Sequence, residues 1–420
     1  MRANWHEFVT MMVQNNFDVE RTSNSCSVSL GEEESVYPAS FHVVENCGVF
    51  LARVRGAKKL IAVAQADSVL FTAIEAEQTT TVAGKTVKIA LLSSKNAELL
   101  RKHLPFMKPV AFGRNSFSLG LGDRLGLASP GHLRCLAGSG IRPVLAQQSI
   151  RELTLTERTY GDVLDAASWA VLQEGFHDGF GADGDHLKRS EDIKMALDLG
   201  FSMITLDCSE KIDGNVANLS EAERCERYQS LPDVFRTKME AAYLDKTFSV
   251  GKSSVHFAAD ALQEILLTYG ETLAFIAEID AKFIKPHHQP VDFELSIDET
   301  ATPTTPAAHY FMASEMEKAG IVLCSLAPRF CGEFQKAIDY IGDLTNFEAE
   351  FAIHAAIADH FGYRLSVHSG SDKFSVFSIV GQYTKGRVHV KTAGTNWLEA
   401  LRVICRQEPD FFRELCRFAL

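Results

Sequence analysis

Two short stretches of this chain gather the side chains that acid–base or metal-assisted chemistry needs. The first, Phe180-Gly181-Ala182-Asp183-Gly184-Asp185-His186-Leu187-Lys188, is an apolar run that ends in carboxylate, imidazole and amine. The second, Val367-His368-Ser369-Gly370-Ser371-Asp372-Lys373, ends the same way. A carboxylate beside a histidine offers a proton acceptor and a metal ligand from one backbone turn. Strands that close into a barrel bring their C-terminal ends to one mouth, so polar groups placed there converge. Two such endings with different sequences point to an enzyme.

Other predicted strand ends add to the set. Asp123, Gln147, Arg329 and Lys391 each fall at or just past one, as do Asp207, Asp298 and Glu299, and Glu294 lies within the strand that precedes the last two. Among 14 histidines, His186 and His368 stand out because each terminates a strand, and neutral imidazole is a common metal ligand. His309 follows the proline-rich turn Thr302-Pro303-Thr304-Thr305-Pro306 at a predicted helix start; it is read either as near the mouth or as a solvent-facing residue. His354, in the middle of a helical stretch, reads as an ordinary packed or surface histidine. Glu294 fits three roles: general acid or base, carboxylate ligand, or interior acid paired with Lys188 or Lys373. There is no G-x-S-x-G elbow, no H-E-x-x-H, and no P-loop ending after Gly120-Leu121-Gly122-Asp123-Arg124.

The elements that must position these groups alternate short apolar strands with amphipathic stretches, the pattern of a parallel sheet with crossover helices. Eight strands are predicted: 117–121, 143–147, 179–183, 203–207, 291–297, 322–327, 365–368 and 388–391. Eight is the number that closes a (β/α)₈ barrel. Gly200, Gly320 and Gly362 each stand just after a helical pattern and before a strand, where a C-terminal glycine belongs, and Ser129-Pro130 reads as a helix start. The expected organisation is an N-terminal α+β flanking region over 1–108 and a catalytic barrel over 109–420. A helical insertion near 209–290 is read as part of a cover over the site. In the flanking region the strands are expected at 48–54, 59–64 and 86–92, with a helix at 96–104. A doubly wound open sheet is the runner-up, disfavoured because no G-x-G-x-x-G follows the first strand.

Bulk properties narrow the function. With 42 basic against 54 acidic residues the net charge is −12, which argues against a nucleic-acid partner. No run reaches the ~18 apolar residues of a membrane span, and the N-terminal segment lacks a secretion signal's apolar core. Nine cysteines without a C-x-x-C pair support neither disulfide scaffolding nor a cysteine zinc site. A cytoplasmic enzyme acting on a small polar molecule is expected, with homo-oligomer formation left open.

Longer motifs resemble a known family. Phe117 to Arg134 (FSLGLGDRLGLASPGHLR), Phe180 to Lys188 (FGADGDHLK), Phe293 to Thr304 (FELSIDETATPT), Ser325 to Asp343 (SLAPRFCGEFQKAIDYIGD), His368 to Phe377 (HSGSDKFSVF) and His389 to Trp397 (HVKTAGTNW) are similar to tagaturonate epimerases. The likeness spans about residues 110–420, and Gly184 departs from the alanine expected at that place. The resemblance implies a divalent-metal-dependent isomerase that interconverts D-tagaturonate and D-fructuronate in hexuronate catabolism; relatives act as ketohexose 4-epimerases. The carbinol inverted in that reaction is β to the ketone, so its C–H lacks the acidity of an α-proton, and retro-aldol cleavage and re-addition fits better than proton abstraction. On this basis Asp185 is expected to accept the hydroxyl proton and Glu294 to donate. The metal (zinc, manganese or nickel, given nitrogen ligands) is assigned to His186, His368 and His309, with Glu333 as the alternative third ligand. Arg329, Lys373 and Lys391 are candidates for the carboxylate of the sugar acid, a guanidinium having the geometric advantage. Asp123 and Gln147 complete the expected substrate contacts. An aldolase or lyase that releases the fragments, and a non-catalytic sugar-acid-binding protein, are the alternative readings.

Overall fold

The computed structural model describes residues 3–27, 33–300 and 302–420. The chain forms two compact units: Met1–Pro109 with Leu125–Ser139 and Thr156–Phe180, and Val110–Arg124 with Gly140–Leu155 and Gly181–Leu420.

The first unit is built on an antiparallel sheet of β1 (Ser35–Val44), β2 (Cys47–Val54), β3 (Ala57–Ala64), β4 (Gln78–Val82) and β5 (Lys85–Ala90), in the order β1-β2-β3-β5-β4. Alternation along β2 sends Val49 and Leu51 to one face and Phe50 and Ala52 to the other. Both faces are covered: one by the helix Trp5–Gln14 through Phe8 and Met12, the other by Ala97, Leu100, Trp169 and Leu172 of two further helices. Two of the five strands, β1 and β4, lie outside the strands expected from sequence. β1 carries Pro38 and an irregularity between Tyr37 and His42, and β4 is a polar edge strand, Gln-Thr-Thr-Thr-Val. Neither shows the apolar run by which the other three are recognised.

The second unit is a closed parallel barrel. Its strands are β6 (Phe117–Leu121), β7 (Arg142–Ser149), β8 (Gly181–Leu187), β9 (Met203–Asp207), β12 (Asp292–Ile297), β13 (Ser325–Pro328), β14 (Arg364–Val367) and β15 (Val388–Thr392). Ring closure comes from β15 pairing with β6, Val388 opposite Phe117. The fold is thus a (β/α)₈ TIM-like barrel accompanied by a β-rich N-terminal region, with every strand near its expected place. Gly200, Gly320 and Gly362 all adopt positive φ (+90°, +65° and +75°) after helices, which explains their placement. The insertion between β9 and β12 contains the helices Glu221–Gln229, Asp233–Tyr243 and Ala259–Ile279. It also holds a hairpin, β10 (Thr247–Val250) with β11 (Ser253–His256), so it is not purely helical.

Candidate active site

At the centre of the barrel a single ammonium is surrounded by carboxylates. Lys391 Nζ on β15 lies 2.7 Å from Asp183, 2.7 Å from Asp185 and 3.0 Å from Glu294. Asp183 and Asp185 are two residues apart on β8, so strand alternation turns both inward while Gly184 faces out. A Cβ at Gly184 would indeed meet Leu187, Ile204 and Ala196 on the outer side. Thr205 on β9 stands 3.0 Å from Asp183 and 3.1 Å from Glu294, and Ser325 on β13 donates to the other Glu294 oxygen. All of these side chains are buried.

Charge within this floor is unevenly shared. Burial penalises every carboxylate, but the Lys391 charge outweighs it at Glu294, held well below the ordinary range, and at Asp185, also lowered. At Asp183 burial wins and pushes the group up to about 6. Three carboxylates share the Lys391 ammonium, and Asp183 is the one whose charged form is least favoured. Burial disfavours the charged form of Lys391, yet its acidic neighbours hold it well above the usual lysine value.

A break in β8 brings a histidine onto the same side. His186 has φ +53°, and the β8–β9 register shifts between Gly184 and Leu187. Adjacent strand residues otherwise point to opposite faces; the bulge cancels that alternation and lets Asp185 and His186 address one space. A non-glycine residue in this region of backbone space costs about 1–3 kcal/mol. The His186 ring then faces Asp207 at the end of β9, Nδ1 to Oδ2 3.6 Å, and neither atom has a hydrogen-bond partner among the described residues. Ligand atoms of His186, Asp207 and Glu299 all lie within 4.8 Å of one another, a grouping able to hold a metal ion. Burial opposes ionisation of Asp207, but the His186 ring and the Ser209 N–H keep it at about 2. A divalent cation would satisfy the His186 nitrogen, which lacks a hydrogen-bond partner among the described residues, together with the two carboxylates that face it. Lys188 supplies a cation at the edge of this group, 3.4 Å from Asp207 and 3.8 Å from Glu299, tethered by Ser209 at 2.8 Å.

His368, just past β14, has its ring centroid 5.0 Å from that of His186. Both its nitrogens face acids: Nε2 is 2.9 Å from Glu294, and Nδ1 is 3.1 Å from Asp298, off the line of a good hydrogen bond. Burial would keep the ring neutral, but Asp298 and Glu294 outweigh it and raise it to about 10.

The structure brings Asp185, His186, Glu294, His368 and Lys391 together and leaves other expected residues elsewhere. His309 is buried in the helix Pro306–Lys318, its Nδ1 against His354 and its Nε2 against Tyr363. Both ring nitrogens are committed, so it is not among the cluster's ligands. Glu333 is exposed and takes a bond from Gln335. Lys373 spends its ammonium on the carbonyls of Gln335, Ile338 and Ser371, which makes it a clamp for that loop. Lys391 is likewise saturated by the floor. Arg329 keeps a partly exposed guanidinium bonded to the Thr300 carbonyl. Gln147 is buried, its Nε2 on the Thr392 carbonyl and its Oε1 without a hydrogen-bond partner among the described residues, and it fits only because Gly120 has no Cβ. Asp123 is buried near the end of β6. Sequence reasoning missed Asp183 and Thr205. For Asp183 the i, i+2 spacing to Asp185 was a usable signal; a threonine in an apolar strand gives none.

The sequence profile of the tagaturonate epimerase family matches residues 37–420. A tagaturonate/fructuronate epimerase of Thermotoga maritima is 45% identical over 327 residues, 78% of this chain and 67% of that protein. The glycerol-complexed crystal structure of the fructuronate-tagaturonate epimerase UxaE from Cohnella laeviribosi is 50% identical, with a TM-score of 0.88, covering 97% of this chain and 80% of that one. Its native crystal structure is 52% identical at the same TM-score, over 91% and 77% of the two chains.

Proposed function

Because this chain belongs to the tagaturonate epimerase family, we propose that it interconverts D-tagaturonate and D-fructuronate by opening and re-forming a carbon–carbon bond. As an epimerase it is an enzyme of the isomerase class. The observation that carries the reading is the convergence of Asp185, His186, Glu294, His368 and Lys391 on one barrel mouth.

Asp185 is the proton acceptor: it is ionised, 8% exposed and beside the bulge, while Asp183 behind it is sealed off. It takes the proton of the substrate hydroxyl as the adjacent carbon–carbon bond opens to an aldehyde. Rotation of that aldehyde presents its other face, and the returning alkoxide needs a proton from elsewhere. His368 follows β14, which lies four strands from β8 in the ring of eight, directly across the barrel. It lies 2.9 Å from Glu294 and its pKa is raised by the acids beside it, so His368 is the donor and the ionised Glu294 orients it. Lys391 fixes Asp185 and Glu294 relative to one another and keeps both ionised between turnovers.

His186, Asp207 and Glu299 would hold a divalent cation, zinc, manganese or nickel by the character of a nitrogen-plus-carboxylate set. When bound, such an ion supplies Lewis-acid stabilisation of the negative charge that cleavage develops on the ketone side. Arg329 is the cation offered to the substrate carboxylate, and the Gln147 oxygen, buried and unpaired, suits a substrate hydroxyl. Among the described residues no helix is long and apolar enough to cross a membrane; a cytoplasmic place in hexuronate catabolism completes the proposal.

The test is an NMR assay of tagaturonate and fructuronate with and without a chelator. Interconversion that stops with chelator and returns with added cation is expected. Accumulation of fragments would instead identify an aldolase, and binding without turnover a sugar-acid-binding protein.

A further inference from the structure

Lys188, Lys373 and Lys391 all stand on barrel strands or in the loops after them, and their ammonium groups are bound very differently. Lys391 is saturated by Asp183, Asp185 and Glu294 at 2.7, 2.7 and 3.0 Å, and Lys373 by three backbone carbonyls. Lys188 has no such cage. Its Nζ lies 3.4 Å from Asp207 and 3.8 Å from Glu299, beyond the roughly 2.7–2.9 Å of a charge-assisted hydrogen bond. Its one hydrogen bond among the described residues goes to the Ser209 hydroxyl at 2.8 Å. The Lys188 side chain is 33% exposed, whereas that of Asp207 is 1% exposed.

Ser209 arranges the charges around Asp207. Its N–H donates to Asp207 Oδ1 at 2.8 Å, while its hydroxyl oxygen accepts from the Lys188 ammonium. The other oxygen, Oδ2, faces His186 Nδ1 at 3.6 Å and Lys188 Nζ at 3.4 Å. A metal ion held by His186 and Asp207 would take that same oxygen at about 2.0–2.2 Å. Ammonium and metal therefore compete for one carboxylate atom, and like charges a few ångströms apart repel.

An ammonium that balances two acids without bonding closely to either is a place-holder. It offsets the repulsion between Asp207 and Glu299, and its flexible four-carbon stem lets it withdraw when a metal arrives. Once withdrawn it has lost both acids, and among the described residues Lys188 has no other ion pair. A displaced ammonium at the mouth calls for a new anion, and a sugar acid brings one. Arg329 bonds the Thr300 carbonyl, directly after Glu299, so both cations border the same short segment.

We propose that Lys188 is a displaceable counter-ion: it stands in for the metal at Asp207 and Glu299, and metal binding frees it to take the carboxylate of the sugar acid. This rests on the reading of His186, Asp207 and Glu299 as the cation site. Metal loading then becomes a precondition for tight binding of the sugar acid, and Lys188 a second reader of the carboxylate alongside Arg329.

Calorimetric titration of manganese into chelator-stripped protein, followed by kcat and KM for tagaturonate with manganese present, tests it on the intact chain. Lys188→Met removes the competing charge, so manganese is expected to bind about tenfold tighter. In the same variant KM is expected to rise about tenfold with kcat changed far less, the mark of a lost binding contact. Lys188→Arg keeps a positive charge and should hold manganese affinity near wild type. A merely structural lysine would weaken both metal and substrate when removed, whereas displacement moves the two in opposite directions. Lys188→Gln repeats the measurement should the Met variant fold poorly. Manganese that binds the wild type but no tighter in a folded Met or Gln variant overturns the displacement alone, and an unchanged KM overturns the carboxylate contact. A wild-type protein that binds no manganese would overturn the cation reading of the site and the displacement with it.

Discussion

Two pairs of histidines in this barrel have ring centroids 5.0 Å apart, His186 with His368 and His309 with His354. The first pair stands at strand ends among Asp185, Asp207, Glu294 and Asp298, and both rings are raised above their ordinary value. The second sits between two helices, with Phe330 against His354, and both rings are lowered. Spacing is the same and chemistry is opposite. Carboxylate neighbours make an imidazole a proton carrier or a ligand; burial without them makes it a neutral hydrogen-bonding spacer.

Removing the acid that gives the first pair its character has the largest expected effect. Asp185→Asn is expected to lower kcat by about 10²–10⁴-fold, the usual contribution of a positioned proton acceptor. Its thermal midpoint should stay near wild type, and a kcat within a few-fold of wild type would take Asp185 out of the reaction. Next in size is the cation. His186→Ala and Asp207→Asn should each weaken manganese binding, measured by calorimetry, by about a hundredfold or more. His309→Gln should leave the affinity far closer to wild type, because His309 faces the helices.

A smaller effect sharpens the second pair. His354 titrates at about 4 when folded against an ordinary 6.5, so the unfolded chain binds the proton first as pH falls. The stability this neutral histidine contributes is complete above pH 6.5 and is lost between about 6.5 and 4. Each tenfold difference in proton affinity between the folded and unfolded chain is worth about 1.4 kcal/mol, so the loss is about 3 kcal/mol. Urea denaturation at about pH 7 and about pH 4.5, with wild type and His354→Gln, measures it; a variant with the same pH slope as wild type would contradict the assignment.

Much of this was legible in the sequence. Short apolar runs ending in polar residues, separated by helices that stop at glycine, located all eight barrel strands, because buried parallel strands and αL helix ends leave strong composition signals. Thr305 and Pro306 announced the helix that carries His309, yet a helix start does not say which way the next side chain points. His309 turned toward His354 rather than the mouth. The bulge at His186 was equally hidden, since no glycine or asparagine marks its positive φ. Lys373 and Lys391 looked like free cations because a sequence shows their charge and not the carbonyls and carboxylates that consume it.

The smallest expected effect is at Gly184. Its missing Cβ points outward at the end of the flexible Leu187 side chain, 2.8 Å away, so Gly184→Ala should change the thermal midpoint by a few degrees at most and leave kcat unaltered. A large loss of activity there would mean that the outer face of β8 sets the bulge at His186.

Turnover in deuterated water tests the central claim most directly. When tagaturonate and fructuronate are interconverted to equilibrium and followed by NMR, carbon–carbon cleavage and re-addition predicts that the inverted carbon keeps its original hydrogen. Stoichiometric deuterium at that carbon would contradict the account, because it requires abstraction of the C–H proton.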